Sequence, residues 1–381
     1  SVDGTVTLNG SLVTSDDALT FGAVTLGSAT TIDTNSTNSN RADIVIGAVT
    51  GGSNALTLTT ENNITGSDVT ASGNITGVTT LTLADVGGTA TLSGDIDVTT
   101  LTVGNTVLNV AFTGNGSSVA NSFTPNNDGT FIFGASGGTQ TYNGGLNTAS
   151  VDGTVTLNGS LVTSDDALTF GAVTLGSATT IDTNSTNSNR ADITIAAITG
   201  GSNALTLSTE NNITGSDITA SGAISGVTTL TLADVGGTAT LSGDVDVTTF
   251  TVGNTVANVA FAAEGSSVVN AVSFANDGTL NLGGAGSVGI TFTGGLTTTS
   301  VGGTVTLEGI INSDDADITL GAITLTSARF VGVRTDRIAG GSGGDLTISG
   351  NVTGGGQQFG LSSEGHFTSS VNTVGNVTVS G

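Results

Sequence analysis

The chain has 381 residues, of which 60 are Gly, and it contains no Cys, Met, Trp or Lys and only one Pro, one Tyr and one His. The lack of Cys excludes disulfides, thiol catalysis and cysteine-ligated metals. The lack of Lys excludes a lysine Schiff base, a phosphate-loop lysine and lysine–asparagine cross-links. Thirty acids against Arg41, Arg190, Arg329, Arg334 and Arg337 give a net charge of −25, which repels nucleic acid and anionic membranes, so neither is expected as a partner.

Short apolar-alternating runs follow one another along the chain: TVTL at 5–8, ALTF at 18–21, AVTL at 23–26, DIVI at 43–46, ALTLT at 55–59, TTLTL at 79–83, TATL at 89–92, DIDV at 95–98, TLTV at 100–103 and TVLNVAF at 106–112. Val, Ile, Leu and Phe alternating with Thr is strand chemistry and argues against disorder at this Gly content. Gly, Asn, Asp and Ser stand between the runs, often as a single Gly or a Ser-Gly step, as hairpin turns or solenoid bends would. No helical period runs through any useful window. No apolar run is long enough to span a membrane, a length of about 18 residues, and no signal peptide opens the chain.

Residues Ser1–Ile44 recur unchanged as Ser150–Ile193, and a diverged copy begins at Ser300. The sequence therefore divides into units 1–149, 150–299 and a partial unit 300–381, read as one continuous body. The copies diverge in 113–148 and 262–299. The fold expected is all-β: a right-handed parallel β-helix, or β-solenoid, of roughly 20 residues per coil. Glycine bends and near-absent Pro suit stacked parallel strands, in which every backbone N–H serves the next coil. A β-sandwich of this length would hold Trp or several Tyr and more loop Pro. About 19 coils at about 4.8 Å each would make a rod roughly 90 Å long.

The phrases GTVTLNG (4–10, 153–159), GGTVTLEG (302–309), GGTATLSGD (87–95, 236–244) and GDLTISGNVTG (344–354) resemble the β-helical passengers of bacterial filamentous-haemagglutinin-like adhesins and autotransporters. The phrase TYNGGLNTASVDGTVTLNG (141–159) resembles a repeat near the end of such passengers. The resemblance implies an extracellular protein, secreted or on the cell surface, that serves as a rod or fibre segment of an adhesin or matrix filament. The alternatives are a carbohydrate-binding or carbohydrate-cleaving β-helix, and a surface-layer or tandem β-sandwich adhesin. Partners expected are self, end to end or within a longer polypeptide, and surface glycans or host or cell-surface receptors.

Carboxylates pair three times in the string SDDA, at Asp16/Asp17, Asp165/Asp166 and Asp314/Asp315, which makes them calcium candidates; the plainer reading is a polar corner built on Asx turns. Gly340–Asp345 matches one calcium-binding repeats-in-toxin motif, but that motif works in tandem. His366, beside Ser362, Ser363 and Glu364, reads as an exposed turn, so no enzyme activity, catalytic group or cofactor is expected. Arg41 and Arg190 lie in duplicated Asn-rich loops. The pairs Thr5/Thr7, Thr80/Thr82, Thr89/Thr91 and Thr100/Thr102 read as outward strand positions, too irregularly spaced for an ice-binding face. Asn63, Asn74, Asn212 and Asn351 are among the glycosylation-type sequons.

Overall fold

The computed structural model describes the chain apart from residues 1–4, 35–39, 62–64, 184–188, 211–213, 285–287, 327–329, 336–342, 355, 357, 364–366, 370–375 and 381, with backbone only for 367–369 and 376–380. The described residues form β-strands and bends and contain no helix. The strand pairings are parallel, so the Gly-punctuated runs are bends between successive sides of a coil and not hairpins. The protein is thus a β-solenoid, with coils roughly 22 residues apart. Contacts divide it into two compact units, Ser1–Asn187 and Ser188–Gly381. The repeat boundary near Ser150 falls inside the first unit, because Val155–Val162 pairs with strands from the preceding repeat.

In the first unit each coil has three sides. One side stacks Leu19–Thr20, Ile44–Ile46, Val69–Ala71, Thr89–Leu92, Asn109–Phe112, Phe131–Phe133 and the start of Val155–Val162. The long strands Val24–Asp33, Val49–Glu61, Ile75–Val86 and Ile96–Val103 bend once and supply the other two sides. Their registers shift at the bend, as between Thr76 and Val78, which absorbs unequal coil lengths. Hydrogen bonds between equivalent places on adjacent coils span 18 residues at Gly10–Ser28, 21 at Asp68–Thr89 and 25 at Asp43–Asp68.

The second unit repeats the plan. One side runs from the start of Ile193–Thr199 through Ile218–Ala220, Val235–Leu241, Val256–Phe261, Leu280–Leu282, Val305–Leu307 and Ile323–Leu325 to Val352–Gly354. Another runs from Val272–Ser273 through Leu296–Thr297, Ile318–Leu320 and Leu346–Ile348 to Phe367–Ser369.

Alternation decides what faces inward. In Val69–Ala71 the outer residues of the triplet are buried and Thr70 is not; Ile318–Leu320 and Leu346–Ile348 follow the same pattern. Each inward Val, Leu or Ile contributes about 1.5–3 kcal/mol by leaving water. Interiors are not uniformly narrow. Where the repeats diverge, Phe112, Phe123, Phe131, Phe133 and Tyr142 pack ring on ring inside the first unit, with the Phe131 and Phe133 centroids 4.0 Å apart. Phe250, Phe261, Phe274 and Phe292 do the same in the second.

Candidate functional site

The paired aspartates sit at a tight corner just before an inward strand residue. Asp16, Asp165 and Asp315 adopt left-handed backbone conformations, with φ of 68°, 69° and 56°. Aspartate tolerates that region better than most residues, because its short side chain bonds locally. Three residues span the hydroxyl-to-carbonyl bond that closes each corner: Thr14 Oγ1 donates to the Asp17 carbonyl at 2.6 Å, Thr163 Oγ1 to that of Asp166 at 2.6 Å, and Ser313 Oγ to that of Ala316 at 2.5 Å.

This geometry reveals that the third SDDA string is displaced by one place. Ser313 takes the position of Thr14 and Thr163, Asp315 that of Asp16 and Asp165, and Asp314 that of Ser15 and Ser164. The second carboxylate therefore follows the left-handed residue in two copies (Asp17, Asp166) and precedes it in the third (Asp314). A corner bond accounts for the shared residue type, and among the described residues no three His, Asp or Glu side chains gather as a metal-holding group. Asp345, at the end of the repeats-in-toxin string, has its amide bonded to Asp317 Oδ1 at 2.8 Å; Gly340–Ser342 lie outside the described residues.

Arg41 and Arg190, read from sequence only as loop residues, are ties between coils. Arg41 Nε meets Asp43 Oδ1 at 3.0 Å and Nη2 meets Asp68 Oδ2 at 2.7 Å, one coil on. Asp43 Oδ1 also accepts the Asp68 amide, and Asp68 Oδ1 accepts the Thr89 amide, so one column of carboxylates links successive coils. Arg190, Asp192, Asp217 and Thr238 repeat this in the second unit. Bonding to Asp43 and Asp192 raises both guanidinium groups above their ordinary value. Arg329, Arg337, Glu364, His366, Asn63 and Asn212 lie outside the described residues. Asn74 is exposed and its Oδ1 accepts the Asp95 amide at 3.0 Å.

Grooves form where the second side bends into the third. In the first unit a groove of about 270 Å³ is lined by Ser53, Gly77, Val78, Asp97, Thr99 and Ser118 among others. In the second unit the corresponding residues, Ser202, Gly226, Val227, Asp246, Thr248 and Ser267, line one of about 460 Å³, with Val269 added. Asp246 Oδ1 accepts the Ser267 amide at 3.1 Å. Partial desolvation, then repulsion from Asp95, raises the Asp97 carboxyl above its ordinary value, while the Ser118 amide opposes the shift. Sequence reasoning missed these grooves; the only trace was the repeated GVTTLTL string, whose Gly takes the left-handed bend at Gly77 and Gly226, φ 65° and 67°.

Outward threonines line up more regularly than their spacing in the sequence indicates. Thr57, Thr82 and Thr102 are cross-coil partners, as are Thr80 and Thr100. In the second unit Thr194, Thr219 and Thr240 form one column and Thr306, Thr324 and Thr353 another. Bulges at the bends take up the irregular spacing.

Set against known protein families, curated proteins and solved structures, the chain finds no match in any of the three. The class is therefore defined by the fold itself: a β-solenoid repeat protein.

Proposed function

We propose that this chain is a structural protein, a rod or fibre segment of an extracellular surface adhesin or matrix filament. The observation that carries this reading is the continuity of the parallel ladders within each unit. Backbone bonds such as Val24 N to Ala48 O, Ile44 N to Asp68 O and Ile75 N to Asp95 O join each coil to the next, at 2.9 Å in all three cases. A stack held this way resists extension along its axis, and its length is set by the number of coils. The resemblance to bacterial β-helical passengers supports the extracellular setting. Electron microscopy of the purified chain tests the reading. Elongated particles or filaments are the expected result; compact globular particles would overturn it.

A second reading is favoured by the two equivalent grooves. Each offers a carboxylate, hydroxyls and a small valine floor, chemistry suited to a saccharide. Glycan-array binding that falls in the Asp97→Asn/Asp246→Asn double variant would support a carbohydrate-binding side face. Binding unchanged by that variant, or absent, would leave the structural reading alone.

A further inference from the structure

The dipeptide Asn-Gly occurs four times, at Asn9-Gly10, Asn115-Gly116, Asn143-Gly144 and Asn158-Gly159. Such a step carries its own chemistry, because no side chain on the glycine keeps its backbone nitrogen from the neighbouring carboxamide. Three of the four glycine amides are engaged. Gly10 donates to Ser28 Oγ at 3.0 Å, Gly159 to Ser177 Oγ at 3.1 Å and Gly116 to Asp95 Oδ1 at 2.8 Å. Gly144 differs: among the described residues neither its amide nor the Asn143 carboxamide has a hydrogen-bond partner.

The fold explains the difference. Tyr142–Gly145 is a β-turn, closed by the Gly145 amide on the Tyr142 carbonyl at 2.9 Å, and Asn143 and Gly144 are its two central residues. The closing bond of such a turn uses the amide of the last residue and leaves that of the third free. Asn143 is exposed, while its own amide donates to the Val119 carbonyl at 2.9 Å and the preceding Tyr142 is buried. In the second unit the same turn spans Phe292–Gly295, also closed at 2.9 Å, but it carries Thr293 where the first carries Asn143.

We propose that Asn143 is a self-modification site that converts to aspartate and isoaspartate, with water as the only co-reactant. The Gly144 nitrogen gives up its proton and attacks Asn143 Cγ. The new N–Cγ bond closes a cyclic succinimide, the Cγ–Nδ2 bond breaks, and Nδ2 leaves as ammonia with that proton. Water then opens the imide at one of its two carbonyls. Opening at Cγ restores the original backbone as aspartate. Opening at the backbone carbonyl routes the chain through Cγ as isoaspartate, one backbone carbon longer. No electrons are transferred. Either product adds a negative charge to the turn that stacks against the Asp166 corner on the next coil. Isoaspartate also lengthens the chain directly after Tyr142, whose ring and hydroxyl hold the aromatic cluster and Gln140. The site does not depend on the extracellular reading, so either can fail without the other.

The test stores the intact 381-residue chain in mildly alkaline buffer, where the amide proton is lost more readily, and follows each Asn-Gly step by peptide mapping with mass spectrometry. Asn143 is expected to convert at least about fivefold faster than Asn9, Asn115 and Asn158, the weight of the one hydrogen bond that each of their glycine amides must first break. Ser177→Ala frees the Gly159 amide and should raise the Asn158 rate by a similar factor, with Asn143 unchanged. In concentrated urea the four rates should converge. Equal rates in the folded chain, or a ranking that survives in urea, would overturn the proposal. So would a Ser177→Ala chain in which Asn158 converts no faster than before.

Discussion

Tyr142, the one tyrosine, is fully buried, and its hydroxyl donates to Gln140 Oε1 at 2.8 Å. Gln140 is itself buried and donates through Nε2 to the Phe112 carbonyl at 3.3 Å. Burial drives the phenol strongly upward from its ordinary value, so it stays protonated and remains a donor. Tyr142→Phe keeps the ring stacking but leaves Gln140 Oε1 without its donor, and should cost about 1–3 kcal/mol in urea unfolding. Gln140→Leu added to it should recover part of that loss, since an apolar pair needs no partner. At Asp97 the sign is opposite to that of a paired carboxylate. Its value in the fold lies above its unfolded value, so the folded state binds more protons between the two, and stability falls as pH rises through that window. Asp97→Asn should therefore stabilise the chain at about pH 7, and the gain should vanish near pH 3, where both forms are neutral. Urea midpoints at the two pH values decide it; a gain that persists at low pH would refute the assignment.

Among the elements, the loop before Phe131–Phe133 depends on one residue. Asn127 is buried, and its Nδ2 donates to the carbonyls of Leu108, Gly129 and Thr130 at 3.0–3.3 Å. Asn276 does the same for Ala257, Gly278 and Thr279 in the second unit. Asn127→Asp would turn a carboxylate oxygen toward those carbonyls in a buried site, so a loss of about 3 kcal/mol or more is expected at neutral pH. Partial recovery on acidification, read from thermal melts, separates charge from shape. Neither asparagine stood out in the sequence, because an Asn-Asp-Gly string reads equally well as an exposed turn. What was legible was local: alternation in DIVI and TTLTL predicts which side chains face inward, and single glycines mark the bends. What was hidden was relational. Identical strings become one strand, Leu168–Asp182, in the second copy but two, Leu19–Thr20 and Val24–Asp33, in the first. The difference accompanies the neighbouring coil, which no local pattern encodes. The third SDDA string likewise looks aligned by letters and is displaced by one place in space, because the strand register and not the string fixes the corner. The Arg41–Asp68 tie joins residues 27 apart, a spacing that depends on the length of that particular coil.

Across the whole molecule, 30 acids against five arginines leave a charge of −25, and stacking brings like charges close. Asp43 and Asp68 occupy the same corner on adjacent coils, at a spacing of about 4.8 Å between strands. Arg41 relieves that pair, and Arg190 relieves Asp192 and Asp217. Asp95 and Asp97 repel each other beside the groove, with no arginine bonded to either among the described residues. Unfolding moves such charges apart, so self-repulsion works against the folded stack. The exposed ion pairs work the other way, but among the described residues they join Arg41 and Arg190 to four aspartates. The repulsive sum should dominate the salt response. Raising NaCl from about 10 mM to about 1 M shortens the Debye length from about 30 Å to about 3 Å. The melting temperature is therefore expected to rise, by a few degrees, over that range, and Arg41→Gln/Arg190→Gln should steepen the rise by removing the two ties. NaCl and KCl at equal ionic strength should act alike if the effect is screening. A melting temperature that falls with salt would mean that the ion pairs outweigh the net charge, and would reverse the assignment of which term governs the stability of the stack.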